Sequence, residues 1–484
     1  MATPSCRRCL LHPPTRLPQQ SAPLALALPL RSAASFSTTS ASLAKPPAAR
    51  ANNPGAGARG TKALKLKKKA FVRNAGRPPA PGERKAIRKR IVLSNINALD
   101  VPGMQDLTPE TMVNAELQGQ VVGLPGPVVD QLRAVDAFKT TQSWGLFRKP
   151  GMLMRKESVE LGKFIDGMAG NGKETMRRIF TGDRGTGKSI VLLQAMAMAF
   201  QKGWVVISIP EAQELTIAHT AYAPISGTGP TQYSQKTYTA TLLSQISRAN
   251  ADVLSGLTLA HKHPKVPIPL QSNMSLQRLA DLGARDPDIA WPIFQALWTE
   301  LTVPAESASS TSTTTRPPVL LALDGLAHVM KHSLYRSADF SPIHAHDLAL
   351  VRFFTSHLSG ALTLPQGGAV LAATSESNTP SAPAMALALA QNEAIQASST
   401  TASGPPQPNP FQPLDDRVLA ALKDVPTTRL AGLSRDEARA LMEYWALSGV
   451  LRRRVDEGLV AEKWTLAGHG VVGELEKGSV VMRV

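Results

Sequence analysis

Cysteine is almost missing from this 484-residue chain: there are two, Cys6 and Cys9, both at the extreme N-terminus. A lone C-x-x-C without a second pair gives no disulfide framework and no thiolate metal centre to the remainder of the chain. Acidic residues are also missing from one end. Residues 1–90 hold 19 Lys or Arg against a single acid, Glu83, so the net charge of +17 belongs to this segment and the other 394 residues sum to −1. Aromatics are few, at 5%, and the dense basic runs contain none, which removes the stacking platform of a base-reading surface. No stretch approaches the roughly 18 to 20 apolar residues that a membrane-spanning helix needs, so no membrane role is expected.

What the N-terminal segment does contain divides in two. Residues 1–44 combine Arg7, Arg8, Arg16 and Arg31 with a Ser, Thr and Ala-rich stretch around Phe36, the composition of a mitochondrial transit peptide. The rival, a secretory signal with Ala22 to Leu30 as its apolar core, is interrupted by Pro23 and Pro29. The expected address is the mitochondrial matrix. Residues 45–90 carry the runs KALKLKKK and RKAIRKR between Gly and Pro interruptions, and cannot bury enough apolar surface to fold alone. Two readings of this disordered basic arm stand: a solvated linker, or an arm that neutralises the phosphates of a polyanion such as RNA.

Beyond the arm, residues 91–174 mix apolar clusters with turn signals and read as a lead-in region packing on the core. Residues 175–377 alternate apolar strands with helices, the signature of an α/β parallel sheet with crossover helices. Strands are expected at 178–181, 204–209, 319–324 and 369–373. Helices are expected at 190–200, 235–250, 275–282 and 289–301, the last interrupted by Pro292. Residues 304–318 form a low-complexity loop, and an Ala, Ser and Pro-rich insertion at 378–413 separates the sheet from a helical C-terminal domain at 414–484. There, Ser434 and Glu437 form a capping box ahead of Ala438, Leu441, Met442 and Trp445 on one helix face, with Gly449 as the stop.

Gly182-Asp183-Arg184-Gly185-Thr186-Gly187-Lys188-Ser189 fits the phosphate-binding pattern G-x-x-x-x-G-K-[ST] without a mismatch. Wrapping backbone N–H groups around a polyphosphate requires residues without a Cβ at the tight bends. Lys188 would reach the β and γ phosphates, and the Ser189 hydroxyl would ligate Mg²⁺ at the start of the following helix. The run VLLALD ends in Asp324, placed to hold the metal's water shell, although an ordinary loop aspartate would read the same way. P-loop ATPases of the additional-strand type usually carry a glutamate directly after this aspartate to activate water. Here that position is Gly325, so hydrolysis is expected to be slow or absent unless another acid, such as Glu211, substitutes. Thr374 and Ser375 stand where a γ-phosphate sensor or a simple strand-end cap is found. His328 and His469 lack partners at metal-ligand spacing, and Glu443 reads as part of a solvated face.

The conjunction of WGLFRKP at 144–150, TGDRGTGKS leading into WVVISIP, LLALDG with glycine in place of the catalytic acid, and LSRDEA near the end resembles the death-associated protein 3 family, GTP-binding proteins of the mitochondrial small ribosomal subunit. The resemblance runs over roughly residues 90 to 484 outside the two low-complexity stretches. It implies a P-loop NTPase fold of the AAA-like kind with a helical C-terminal extension, and GTP or GDP as ligand. It also implies small-subunit ribosomal RNA and neighbouring ribosomal proteins as partners, with room for contact with the large subunit. No Asn-Lys-x-Asp guanine-reading motif is present, so the choice of base rests on the resemblance alone. The competing reading is a mitochondrial AAA-like ATPase that remodels protein or nucleic acid, with the helical tail as a lid. A small-molecule kinase would need an acceptor site that the sequence does not offer.

Overall fold

The computed structural model describes residues 95–168, 173–271, 273–303, 316–377, 379–397 and 406–481. The transit segment, the basic arm, residues 304–315 of the low-complexity loop and residues 398–405 of the insertion lie outside the described residues.

The segments VVISI, VLLALD and GAVLAA are short, nearly uninterrupted apolar runs, which suits strands covered on both faces. They form the centre of a five-stranded, wholly parallel sheet. Numbered along the chain, its strands are β1 (Thr175–Thr181), β2 (Val205–Ile209), β3 (Val319–Asp324), β4 (Gly368–Ala373) and β5 (Thr427–Arg429), arranged β5-β1-β4-β3-β2. Ala373 is in register with both Phe180 and Asp324. That register brings the ends of β1 and β3 to one edge of the sheet, with β4 between them.

Side chains alternate across the sheet with period two. Ile179, Val205, Ile207, Ile209, Leu321, Leu323 and Val370 face one core, completed by the helices Lys236–Ala249, Leu276–Arg285, Ala290–Thr302 and Ala349–Ser359. Phe180, Val206, Leu320, Ala322 and Leu371 face the other, filled by Gly126–Ala134, Lys156–Gly167 and Lys188–Gln201. The last of these is buried without a break from Val191 to Phe200 because it lies between the sheet and the lead-in helices. A third apolar cluster joins the C-terminal helices Arg435–Leu447 and Glu457–Leu466 to Phe147 and Leu153. The capping box forms as expected, with Ser434 Oγ accepting from Glu437 N at 3.2 Å and Ser434 N donating to Glu437 Oε2 at 2.8 Å.

Three features differ from the sequence expectation. Pro292 does not interrupt its helix: it is the third residue of Ala290–Thr302, in the first turn, where a missing N–H costs no helical hydrogen bond. The Ala-rich insertion contains the helix Pro383–Ala397, whose Ala384, Met385, Ala388 and Leu389 enter the first core. Buried Asn392 fixes that helix by donating to Leu422 O (2.8 Å) and Val425 O (3.1 Å). Alanine is the strongest helix former, so composition resembling a spacer is here an element of the fold. Finally, the C-terminal region is not only helical, since it supplies β5 to the edge of the main sheet.

A buried ionic cluster ties loop to helix on the first core. The Glu300 side chain is completely buried, accepts from the backbone N–H groups of Ala260 (2.9 Å) and His261 (2.8 Å) and from Arg316 Nη2 (2.7 Å), and shares a hydrogen bond with His263 Nε2 (2.8 Å). Burial pushes its carboxyl up, but the two backbone donors, His263 and Arg316 together pull it below the usual value. A depressed carboxyl contributes its stability in full above the unfolded carboxylate range and loses it as pH falls through the folded value. Chemical denaturation should therefore show a loss of stability on acidification that Glu300→Gln lacks. Glu300→Ala, which strands Arg316 in the interior, should cost about 3 to 5 kcal/mol at neutral pH.

Gly162 offers a second check on packing. A Cβ built there lies 2.2 Å from the main-chain oxygen of Met112. Glycine to alanine inside a helix ordinarily stabilises by about 1 kcal/mol. Here the change should instead lose about 1 to 3 kcal/mol in a urea melt, and a variant as stable as the parent would refute the close approach.

Candidate functional site

The segment Gly182–Ser189 joins the end of β1 to the Lys188–Gln201 helix, whose N-cap is Gly187. Gly182 and Gly187 adopt φ values of 134° and 99°, which glycine reaches at no steric cost. At Gly182 a side chain would also strike Leu430 O, 2.6 Å from the Cβ position. Thr186 closes the turn by donating from Oγ1 to Asp183 O at 2.9 Å.

The turn is held from three directions. Buried Arg155 donates to Thr186 O and Ala431 O, each at 2.9 Å, so one guanidinium fastens the loop to the segment following β5. Leu430 N donates to Thr181 O at 2.9 Å, extending the β5 pairing to the loop's root. Gly473 N, in the C-terminal helix Val472–Glu476, donates to Gly185 O at 2.9 Å.

Lys188 is buried within this turn and its Nζ donates to Gly182 O (2.5 Å) and Asp183 O (2.8 Å). Burial lowers its pKa, opposed by the negative charges of Glu376, Asp324 and Asp183. One residue on, Ser189 Oγ donates to Asp324 Oδ2 at 2.5 Å, across from the end of β1 to the end of β3. The structure thus brings together every residue that the motif reading named: Gly182, Asp183, Arg184, Gly185, Thr186, Gly187, Lys188 and Ser189 in one turn, with Asp324 against Ser189.

Gly325 has its own conformational reason. Its φ of 87° starts the short helix Leu326–Val329, so any residue with a side chain would be strained there. A carboxylate-bearing residue directly after Asp324 would therefore have to adopt a backbone conformation that favours glycine. Thr374 turns its hydroxyl onto Phe180 O at 3.3 Å, the strand-end cap of the two expected roles. Both Thr374 and Ser375 still line the cavity in front of the loop, as do Glu211, Glu376 and His328. Burial, and secondarily Lys331, lowers the pKa of His328.

That cavity measures about 760 Å³ and is bounded by the glycine turn, the segment 139–144 and the C-terminal helices. Its apolar wall includes Trp144, Phe147, Tyr444 and Val472; Phe147 and Tyr444 stack with centroids 5.0 Å apart. The Tyr444 hydroxyl donates to Lys149 O at 2.8 Å, fixing the ring. Sequence reasoning missed Arg155, Glu376 and Lys139. Lys139 Nζ donates to Ser189 Oγ at 3.2 Å and forms an ion pair with Asp324. None of the three lies in a local motif, and the only available signal was their nearness to WGLFRKP or to a strand end.

A sequence model of the family described as Mitochondrial ribosomal death-associated protein 3 matches residues 152–478, an interval that holds the glycine turn, Asp324 and the C-terminal segments around them. The Small ribosomal subunit protein mS29 of Neurospora crassa is 47% identical over 487 residues, which cover 99% of this chain and 99% of that protein. A protein of the same name in Schizosaccharomyces pombe is 22% identical over 368 residues, 75% of this chain and 72% of its relative. With well over half of its length matched by the family and one such relative aligned nearly end to end, this chain belongs to the mitochondrial ribosomal death-associated protein 3 family.

Proposed function

We propose that this chain is a structural protein of the mitochondrial small ribosomal subunit that holds GTP or GDP with Mg²⁺ in the Gly182–Ser189 turn and hydrolyses it slowly or not at all. Its place is the mitochondrial ribosome, in keeping with its family and with the relative that shares its full length. Small-subunit ribosomal RNA and neighbouring ribosomal proteins are its partners in this reading, with contact to the large subunit as a further expectation.

The observation that carries the nucleotide reading is the convergence of an amide-rich glycine turn, Lys188 Nζ, Ser189 Oγ and Asp324 Oδ2 at the edge of a parallel sheet. A strand lies between β1 and β3, the arrangement from which the additional-strand class of P-loop proteins takes its name. A polyphosphate in the turn would take over the ammonium donors that Lys188 now gives to Gly182 and Asp183. Ser189 Oγ and Asp324 Oδ2 are hard oxygen donors that point at each other, which suits Mg²⁺. When bound, the ion would neutralise phosphate charge; no chemical step of this reading needs it. The base is guanine by resemblance, and the walls around Trp144 and Tyr444 provide the apolar surface for a purine.

The glycine at 325 favours this reading over a remodelling ATPase, in which an acid would be needed beside Asp324. Glu211 and Glu376 line the cavity and are the acids on which that second reading would depend.

Three measurements test these statements. On the purified chain, Lys188→Ala should weaken binding of a labelled guanine nucleotide by about tenfold or more, and an unchanged affinity would remove the phosphate assignment. Steady turnover should stay below about 1 per second; faster hydrolysis would favour the ATPase. In gradients of mitochondrial lysate the native protein should travel with the small ribosomal subunit, and a pool found only near the top of the gradient would contradict the structural role.

A further inference from the structure

Asp324 ends a buried strand, and its side chain is only 6% exposed. A carboxylate in such surroundings requires a countercharge. Lys188 is the lysine that the motif provides, but its Nζ donors go to two carbonyls of the glycine turn. The ion pair of Asp324 is made instead by Lys139, from the lead-in region, whose ammonium also donates to Ser189 Oγ at 3.2 Å. The Lys139 ammonium thus contacts both of the oxygens proposed to hold Mg²⁺.

Its delivery is built into the local chain. Lys139 N donates to Gln142 Oε1 at 3.1 Å, and Trp144 Nε1 donates to the same oxygen at 2.5 Å. Phe138 packs edge-to-face on Trp144 with centroids 5.3 Å apart. Ser143 N donates to Glu476 Oε1 at 3.0 Å, linking the turn to the C-terminal helix. The Lys139 stem leaves this braced turn and remains 27% exposed, so solvent is open to it as an alternative resting place.

We propose that Lys139 is a tethered cation of the metal position: it shares Ser189 and Asp324 with Mg²⁺ by exclusion, and in the absence of the ion it supplies the positive charge that lets nucleotide stay bound. The inference rests on the nucleotide reading above. An ammonium hydrogen-bonded to both oxygens stands where Mg²⁺ would have to approach them, and two positive charges at that distance repel. Entry of the ion therefore requires the ammonium to swing toward solvent, and withdrawal of the ion lets it return. The carboxylate does not face a polyphosphate uncompensated in either state.

The test compares affinities for fluorescent GDP, with fluorescent ADP beside it, in excess Mg²⁺ and in EDTA, using the full chain. The wild type should lose about threefold or less on removal of the ion, whereas Lys139→Ala should lose about tenfold or more. Lys139→Met, which keeps the apolar stem and removes the charge, should behave as Lys139→Ala does and replaces it should the shorter side chain impair folding. Nucleotide binding with the same Mg²⁺-to-EDTA ratio in wild type and variants would overturn the role of Lys139 alone. Failure of the wild type to bind either nucleotide in either buffer would overturn the nucleotide reading, and this inference with it.

Discussion

Parallel pairing of β4 with both β1 and β3 sets the spacing on which the candidate site depends. Because Ala373 is aligned with Phe180 on one side and Asp324 on the other, the root of the glycine turn and the buried carboxylate end at the same height. The apolar alternation behind that register locks it: slipping by one residue would turn Ile179 and Leu323 out of one core and Phe180 and Ala322 out of the other. The 2.5 Å hydrogen bond between Ser189 and Asp324 is thus a consequence of core packing as much as of local motif chemistry.

The C-terminal region bears on the same point from the opposite direction. β5 adds to the sheet next to β1, and the residues just after it meet the turn through Leu430 and through the guanidinium of Arg155. Val472–Glu476 adds a backbone hydrogen bond to Gly185. The helical extension is therefore joined to the sheet domain at the very loop proposed to hold phosphate. A ligand there would feel residues from the lead-in region, the sheet and the tail at once.

What was legible in the sequence was local. The glycine turn, Lys188, Ser189, Asp324 and the capping box at Ser434 are defined by neighbours a few residues apart, and local sterics fix their geometry. The main strands were legible because burial on both faces leaves an unmistakable apolar run. Pro292 and the helix Pro383–Ala397 misled for opposite reasons: a breaker sat where helices tolerate it, and a strong helix former resembled a spacer. Lys139, Arg155 and the Glu300–Arg316 pair were illegible because each acquires meaning only from a partner brought close by the tertiary fold.

The grip of Arg155 on Thr186 and Ala431 also has a temporal side. Arg155 and Ala431 stand 276 positions apart, and β5 is among the last elements in the chain. Synthesis from the N-terminus delivers the glycine turn well before the strand that flanks it. During that interval four strands are available to pair while the root of the turn lacks its outer neighbour. Until the tail is complete, the turn has neither the Arg155 bond to Ala431 O nor the Leu430 bond to Thr181 O that brace it in the folded chain.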